Sequence, residues 1–334
     1  MPRFDRRGAL GLAAALAATP RLALGQGSPQ AAGPPLQGAG GYGFRVGELR
    51  CRVVSDGMLA NDLPLQPMLA GNATPEAVAA ALAERLLPPA GAVLHLNALF
   101  VDTGRNRVLI DAGSADSMGP TGGKLLANLR AAGIEPEAID TVVISHAHPD
   151  HLFGALMSDG SPVFPDARIL ISEPEHAFWT GSADLSRSKL DEPFRRFLTD
   201  GARRHLAALK DRIELVPPDR ELVPGLVALP TPGHTPGHLS FVLSSGNASM
   251  LVTSDVVHHH VLALAHPEWQ VSFDTDPEQG STTRARLLDR IAPDRLPVLA
   301  YHFPYPGLGH VARRGDAYAW EPIVWNWDPE APLA

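Results

Sequence analysis

The sequence predicts a single α+β catalytic domain over residues 44–334. Three observations carry that expectation. Runs of aliphatic and β-branched residues alternate with stretches of helical period, so strands and helices share one chain. Beyond residue 43 no second Gly/Pro-rich linker and no internal repeat divides it. Histidines and aspartates stand directly behind the hydrophobic runs, where a sheet hands the chain to its loops.

In chain order, residues 1–25 come first. Arg3, Arg6 and Arg7 precede a short apolar stretch, Gly8 to Ala18, and small residues at Ala23 and Gly25. That is the layout of an export signal, and the Arg6-Arg7 pair resembles a twin-arginine signal. The apolar stretch is shorter than the ~20 residues that a spanning helix needs, so no stable membrane anchor is expected. The expected destination is a bacterial periplasm. Residues 26–43, "QGSPQAAGPPLQGAGGYG", read as a flexible lead-in.

Within the domain, "DGMLANDLPLQPMLAGNATP" (Asp56 to Pro75) is apolar without a clean period and reads as a long loop with exposed leucines. "AVLHLNALFV", the turn "DTGRN" and "RVLID" read as a hairpin ending at Asp111. Lys124 to Ala132 has helical character and stops at Gly133. "DTVVIS" and "ARILIS" are buried strands, and Glu192 to Leu209 is an amphipathic helix. "GLVALPTPGH" is a strand running into a Pro/Gly turn, followed by the hairpin "HLSFVLSSGNASMLVTSD" with Gly246-Asn247 at its tip. The helix Pro277 to Ile291 precedes a last strand, "LPVLAYH".

The chemistry concentrates in "SHAHPDH". His146 and His148, two apart at a strand end, point the same way and can grip one cation, while Asp150 and His151 face a neighbouring point. His234, Asp255 and His302 close three other hydrophobic runs and supply the further donors that a pair of metals requires. Imidazole and carboxylate suit zinc first, and also iron, manganese or cobalt. One cysteine, Cys51, excludes an internal disulfide framework, and on its early strand it reads as a small buried hydrophobe.

This pattern, H-x-H-x-D-H followed by separated His, Asp and His, resembles the metallo-β-lactamase superfamily. The resemblance extends from "LIDAG" to "AYHFPYPGLGH", with Ser145 where a threonine is usual. It implies a four-layer αββα sandwich with two metals at one edge of the paired sheets. It further implies that His146, His148 and His234 hold one metal, that Asp150, His151 and His302 hold the other, and that Asp255 bridges them. Asp150 and Asp255 would position the metals and the nucleophile. The ligand spacing, the export signal and the C-terminal "HFPYPGLGHV…YAWEP" look most like methyl parathion hydrolase and its lactonase-like relatives.

Two metals that share a water lower its pKa toward neutrality, which suits attack on a carbonyl carbon or a phosphorus atom. Trp179, Phe194, Phe273 and Trp269 lie in or near the segments between ligands and are candidates for the pocket wall, with Phe197 the member most expected in the core. Of His258, His259 and His260, His258 is placed to line the pocket and the others read as loop residues. His238 reads as a structural residue beside the ligands, and His310 as a weaker pocket candidate. An apolar wall without a basic cluster suits a small neutral ester, a lactone or a phosphotriester. The lactone or aryl ester is expected as the main substrate, with organophosphate triester cleavage as a side reaction.

The formal net charge of −8 argues against nucleic acid as a partner. A metal-dependent nuclease would bring a basic surface, and a glutathione-thioester hydrolase a C-terminal helical domain that the 32 residues after His302 do not supply. Exposed apolar loops fit a homodimer.

Overall fold

The computed structural model describes residues 38, 40–61, 65–89, 92–217 and 219–333. The export signal and most of the lead-in expected from the sequence lie outside the described residues. Two antiparallel and parallel mixed sheets of seven strands each build the domain. The first runs in sequence order through β1 (Gly41–Val46), β2 (Leu49–Asn61), β3 (Ala92–Asp102), β4 (Arg107–Ile110), β5 (Thr141–Ile144), β6 (Arg168–Ser172) and β7 (Ile213–Val216). The second runs from β8 (Glu221–Val223) and β9 (Leu226–Pro230) through the hairpin of β10 (Leu239–Ser245) and β11 (Ala248–Ser254). It continues with β12 (Val298–Ala300), β13 (Leu308–Arg314) and β14 (Ala317–Pro322).

Alternation along the strands explains the layers, because successive side chains face opposite sides of a sheet. On β3, Leu99 and Val101 enter the core between the sheets, whereas Leu96, Ala98 and Phe100 enter the core on the outer face. On β5, Val143 points inward and Val142 and Ile144 outward. The inner core takes Leu226, Ala228, Phe241, Leu243, Met250 and Val252 from the second sheet. Helices cover both outer faces, which gives the four-layer αββα sandwich that the sequence predicts.

The helices are α1 (Leu65–Met68), α2 (Pro75–Ala83), α3 (Leu125–Ala131), α4 (Pro149–Leu152), α5 (Glu173–Thr180), α6 (Glu192–Ala208), α7 (Leu262–Ala265) and α8 (Pro277–Asp294). Leu198, Ala202 and Leu206 of α6 pack onto the outer face of the first sheet. Leu287, Leu288 and Ile291 of α8 pack onto that of the second. Capping side chains start the longer helices: Asp191 accepts from Phe194 N at 2.9 Å, and Asp276 from Gln279 N at 3.0 Å. No helix among the described residues is long and apolar enough to cross a membrane.

Three expectations need correction. Gly41, Tyr42 and Gly43 are not lead-in but the start of β1, paired with Val54, Val53 and Arg52; two glycines hide the strand. Asp56 to Pro75 is not a long exposed loop. Its first part continues β2 through a register shift between Ser55 and Gly57, and Leu65 and Leu69 are buried with Leu94 and Trp269. The run "LPVLAYH" is not the last strand, since "GLGHVARR" and "AYAWEP" add the hairpin of β13 and β14 to the sheet edge. Cys51 is buried on β2, as its apolar surroundings demand.

Candidate metal centre and active site

Several strand ends open onto one edge of the sandwich. β4, β5 and β6 run parallel, as do β11 and β12, so the residues that follow them emerge on the same side. After β5 the chain gives His146, His148, Asp150 and His151; after β9 it gives His234; after β11, Asp255; after β12, His302. Ser254 adopts φ of +46° just before Asp255, and Asp111 adopts +66° after β4. Left-handed backbone at two non-glycine positions beside the centre is the kind of strain that clusters at functional sites.

All seven residues singled out by the motif come together and are buried. Donor atoms of His146, His148 and His234 lie within 4.8 Å of one another, as do those of Asp150, His151 and His302. His234 Nε2 approaches His148 Nδ1 to 2.9 Å and His146 Nε2 to 3.1 Å. Asp255 reaches His302 Nε2 at 2.9 Å, His151 Nε2 at 3.2 Å and His234 Nε2 at 3.4 Å, so it stands between the two groups. Buried nitrogen and oxygen atoms without a hydrogen-bond partner, His151 Nε2 and Asp255 Oδ1, point at the same centre. A buried polar atom is costly unless something satisfies it, and a cation does so for converging imidazole and carboxylate donors. The donor set therefore fits two divalent ions.

Charge is divided unevenly between the groups in the protein alone. Burial, helped by neighbouring histidines, holds His146, His148 and His234 well below the ordinary histidine range, so they are neutral and ready to ligate. Burial also opposes charge on His151, but Asp255, Asp150 and Asp111 outweigh it and push its pKa well up. His302 is raised likewise, with Asp255 and Asp150 outweighing burial. Burial works against ionisation of Asp150, yet His151 and His302 bring it down to about 2.

A second layer of side chains orients the donors. Asp111 accepts from Ser145 N at 2.8 Å, from Ser145 Oγ at 2.9 Å and from the His151 Nδ1 side at 2.8 Å. Asp274 holds His234 Nδ1 at 2.7 Å, and the His95 carbonyl holds His302 Nδ1 at 3.0 Å. Such outer partners fix ring orientation and tautomer. His238 behaves as expected: its ring meets Thr231 Oγ1 at 2.8 Å and accepts from Asp255 N at 3.1 Å. The Tyr301 hydroxyl donates to the Asp150 carbonyl at 2.6 Å, and its ring lies 4.1 Å from that of His151. Glu175, wholly buried, accepts from Ala147 N, Trp179 Nε1, Thr235 Oγ1 and Gly237 N at 2.9, 2.6, 2.6 and 3.0 Å.

The glycines of "TPGHTPGH" follow from this packing. Gly233 has φ of +134°, and a Cβ there would lie 2.3 Å from Gly280 N; at Gly237 it would lie 2.1 Å from Glu175 N. Asp111, Glu175 and Asp274 were not marked by spacing. Only Asp111 had a local signal, a carboxylate closing a buried strand.

An apolar cavity of about 570 Å³ opens from the centre, with His148, Asp150, Asp255 and His302 at one end. Leu59, Leu94, Met118, Phe194, Phe197 and Phe273 are among the residues that line the rest, with Lys189 and Asp191 as its charged members. Phe194 and Phe273, the aromatics proposed for the wall, line this cavity. Phe197, expected in the core, is 37% exposed and lines the cavity, because the α6 face that carries it turns away from the sheet. Trp179 is corrected in the other direction: it is 0% exposed, its indole bonded to Glu175, and it is no part of the wall. Trp269 is buried against Leu65 and Leu69 and stacks on His266.

His258 is also corrected. Rather than lining the cavity, it sits behind Phe273, with ring centroids 5.0 Å apart, and its Nε2 lies 3.2 Å from Asp255. It also forms a donor group with His234 and Asp255. His259 instead accepts from the backbone of Val261 and Leu262, and His310 lies on β13 with its ring on the Arg295 carbonyl, away from the cavity.

Comparison with known proteins agrees with this geometry. A family model described as the metallo-beta-lactamase superfamily matches residues 92–302. The uncharacterized protein YobT of Bacillus subtilis (strain 168) is 26% identical over 210 residues, 62% of this chain and 83% of that protein. An N-acyl homoserine lactonase of Bacillus thuringiensis is 29% identical over 175 residues, which span 52% of this chain and 59% of the lactonase. Among solved structures, AidC is described as a dizinc quorum-quenching lactonase in complex with a product, N-hexanoyl-L-homoserine. It superposes with a TM-score of 0.82 at 27% identity, covering 88% of this chain and 100% of that one. The hydrolase AbOPH superposes with a TM-score of 0.78 at 29% identity, covering 87% and 99%.

Proposed function

The chain belongs to the metallo-beta-lactamase superfamily and is a metal-dependent hydrolase, and from that premise we propose that it opens neutral lactones and cleaves aryl esters carrying an apolar chain. The observation that carries this reading is a cavity whose inner end is the histidine–aspartate centre and whose wall is mostly aliphatic and aromatic. The likeness to an N-acyl homoserine lactonase and to a lactonase solved with its product supports it.

The residues present fit two divalent ions, zinc foremost and iron, manganese or cobalt also suited to nitrogen and oxygen donors. His146, His148 and His234 would hold one, Asp150, His151 and His302 the other, with Asp255 between. When bound, such a pair supplies a Lewis acid for the carbonyl oxygen and an activated water as nucleophile. Around it, the chain's own groups bind and orient. Leu59, Met118, Phe194 and Phe273 would take the apolar part of the substrate out of water and bring its carbonyl to the inner end. Asp150 lines that end as an ionised carboxylate and is placed to accept a proton at its side-chain oxygen. Among the lining residues Lys189 is the basic one, and Asp150, Asp191 and Asp255 oppose it, which disfavours an anionic substrate. The first 25 residues support export to a periplasm as the setting for this activity.

The test is kcat/KM on the metal-loaded protein for an acyl-homoserine lactone and a dialkyl aryl phosphotriester side by side. The expected outcome is that the lactone wins by orders of magnitude and the phosphotriester is a slow side reaction of the same centre. A faster phosphotriester would make organophosphate hydrolysis the main activity and overturn the substrate proposed here.

A further inference from the structure

We propose that a second cavity beyond Phe197 is a tail site for long, unbranched acyl chains. This rests on the lactone and ester reading above and specifies which members of that class are preferred. A cavity of about 720 Å³ lies on the far side of the substrate pocket, and Ser117 and Phe197 belong to the walls of both. The two spaces therefore adjoin at one aromatic and one hydroxyl side chain.

The outer cavity is predominantly apolar, with Asp56, Asp116, Ser158, Arg204 and His205 in the polar part of its lining. Leu125, Leu126, Leu156, Met157 and Val163 line it, and Phe153 forms part of its floor, lying flat on His205 with centroids 4.1 Å apart. That floor is tightly made: α6 carries Gly201 under the Phe153 ring, where a Cβ would come within 2.1 Å of the ring's Cζ. Of the large hydrophobic side chains exposed among the described residues, Met157 at 46%, Phe194 at 41% and Phe197 at 37% lie here, whereas others such as Leu86 and Trp327 lie elsewhere. All three line one or both of these cavities. Exposed apolar side chains collected along one path mark a surface that awaits an apolar partner.

A substrate whose carbonyl sits at the histidine–aspartate centre extends its chain away from that end. A short chain finishes within the first cavity. A longer one passes Phe197 and Ser117 and meets Leu125, Leu126, Leu156 and Val163. Each methylene buried there is worth about fourfold in transition-state binding.

The experiment uses the full-length, metal-loaded protein and two substrate series, acyl-homoserine lactones and p-nitrophenyl alkanoates, each from four to twelve carbons. Expected is a kcat/KM that still climbs between eight and twelve carbons. In Leu126→Trp, which fills the outer cavity, and in Met157→Glu, which places a charge on its exposed wall, the twelve-to-four-carbon ratio falls by tenfold or more. A ratio that is flat in the natural protein, or unchanged in both variants, overturns the tail site. Lactones left intact while alkanoates show the climb and its loss would sink the lactone reading and leave the tail site standing. Met157→Glu changes a half-exposed position and keeps the test decisive if Leu126→Trp fails to fold.

Discussion

The Glu175 carboxylate accepts the hydroxyl hydrogen of Thr235 at 2.6 Å, and through that contact it joins the two loops that carry the first group of metal donors. Its other oxygen takes the amide of Ala147, which lies between His146 and His148, while Thr235 directly follows His234. Four donors converge on this carboxylate in a fully buried place, so its geometry demands an acceptor at every position. Glu175→Gln turns one acceptor into an NH2 group facing a donor. We expect metal affinity to fall by roughly 10- to 100-fold, the effect of losing an outer partner of a metal site. Competition with a chromogenic chelator measures it, and thermal unfolding of the metal-free protein separates it from a general loss of about 1–3 kcal/mol. Unchanged affinity in the variant would show that the loops hold their positions without the clamp.

Two aromatic residues separate the wall of the pocket from its support. Trp179 is 0% exposed, and Phe194 is 41% exposed above the cavity. Trp179→Ala should destabilise the fold by about 3–5 kcal/mol, since it opens a cavity and strips a donor from Glu175. Phe194→Ala should change stability by no more than about 0.5 kcal/mol. It should instead raise KM for substrates with an apolar chain. Denaturant unfolding and steady-state kinetics on both variants make the comparison, and a stability loss at Phe194 equal to that at Trp179 would refute the division.

Metal loading should be unevenly sensitive to pH. In the protein alone His146, His148 and His234 are held below the ordinary histidine range and are neutral near pH 7, so the first ion displaces no proton from them. His151 and His302 are raised, so they stay protonated as pH rises until it passes their elevated values. A metal binds only the neutral ring, so the second ion must release those protons. Its affinity should therefore rise with pH, about tenfold per unit for each proton displaced, while that of the first stays nearly level. Calorimetry in buffers of different ionisation enthalpy counts the protons. Equal release at both steps would contradict the assignment.

What the sequence made legible follows from distance along the chain. His146, His148, Asp150 and His151 share one strand end, and His234, Asp255 and His302 each close a hydrophobic run, so period and position pick them out. Glu175 and Asp274 act on loops that lie far from them in sequence but adjoin them in the fold, and no local pattern records such a contact. Trp179 and Phe197 stand in places opposite to those their sequence positions suggest, for a related reason. Both lie on helices, and only the packed structure tells which face of a helix meets the sheet and which meets the cavity. The strand Gly41–Val46 is not legible in the sequence because its glycines carry no β signal, and its pairing with β2 overrides that weakness.

Asp150 and Asp255 differ in reach, and that difference predicts how their amides behave. Asp150 approaches His151 at 3.4 Å and His302 at 3.5 Å, all members of one donor group. Asp255 lies within 4 Å of His146, His151, His234, His258 and His302, and so touches both groups. Asp150→Asn should therefore purify with close to one metal equivalent, keeping the ion held by His146, His148 and His234. Asp255→Asn should lose affinity for both. Elemental analysis after dialysis against a weak chelator reads the stoichiometry. Turnover should fall by at least about a hundredfold in each, because the carbonyl and its attacking water need both ions in place. Two equivalents retained by Asp255→Asn would remove it from the bridging position, and full turnover in Asp150→Asn would remove that carboxylate from the reaction.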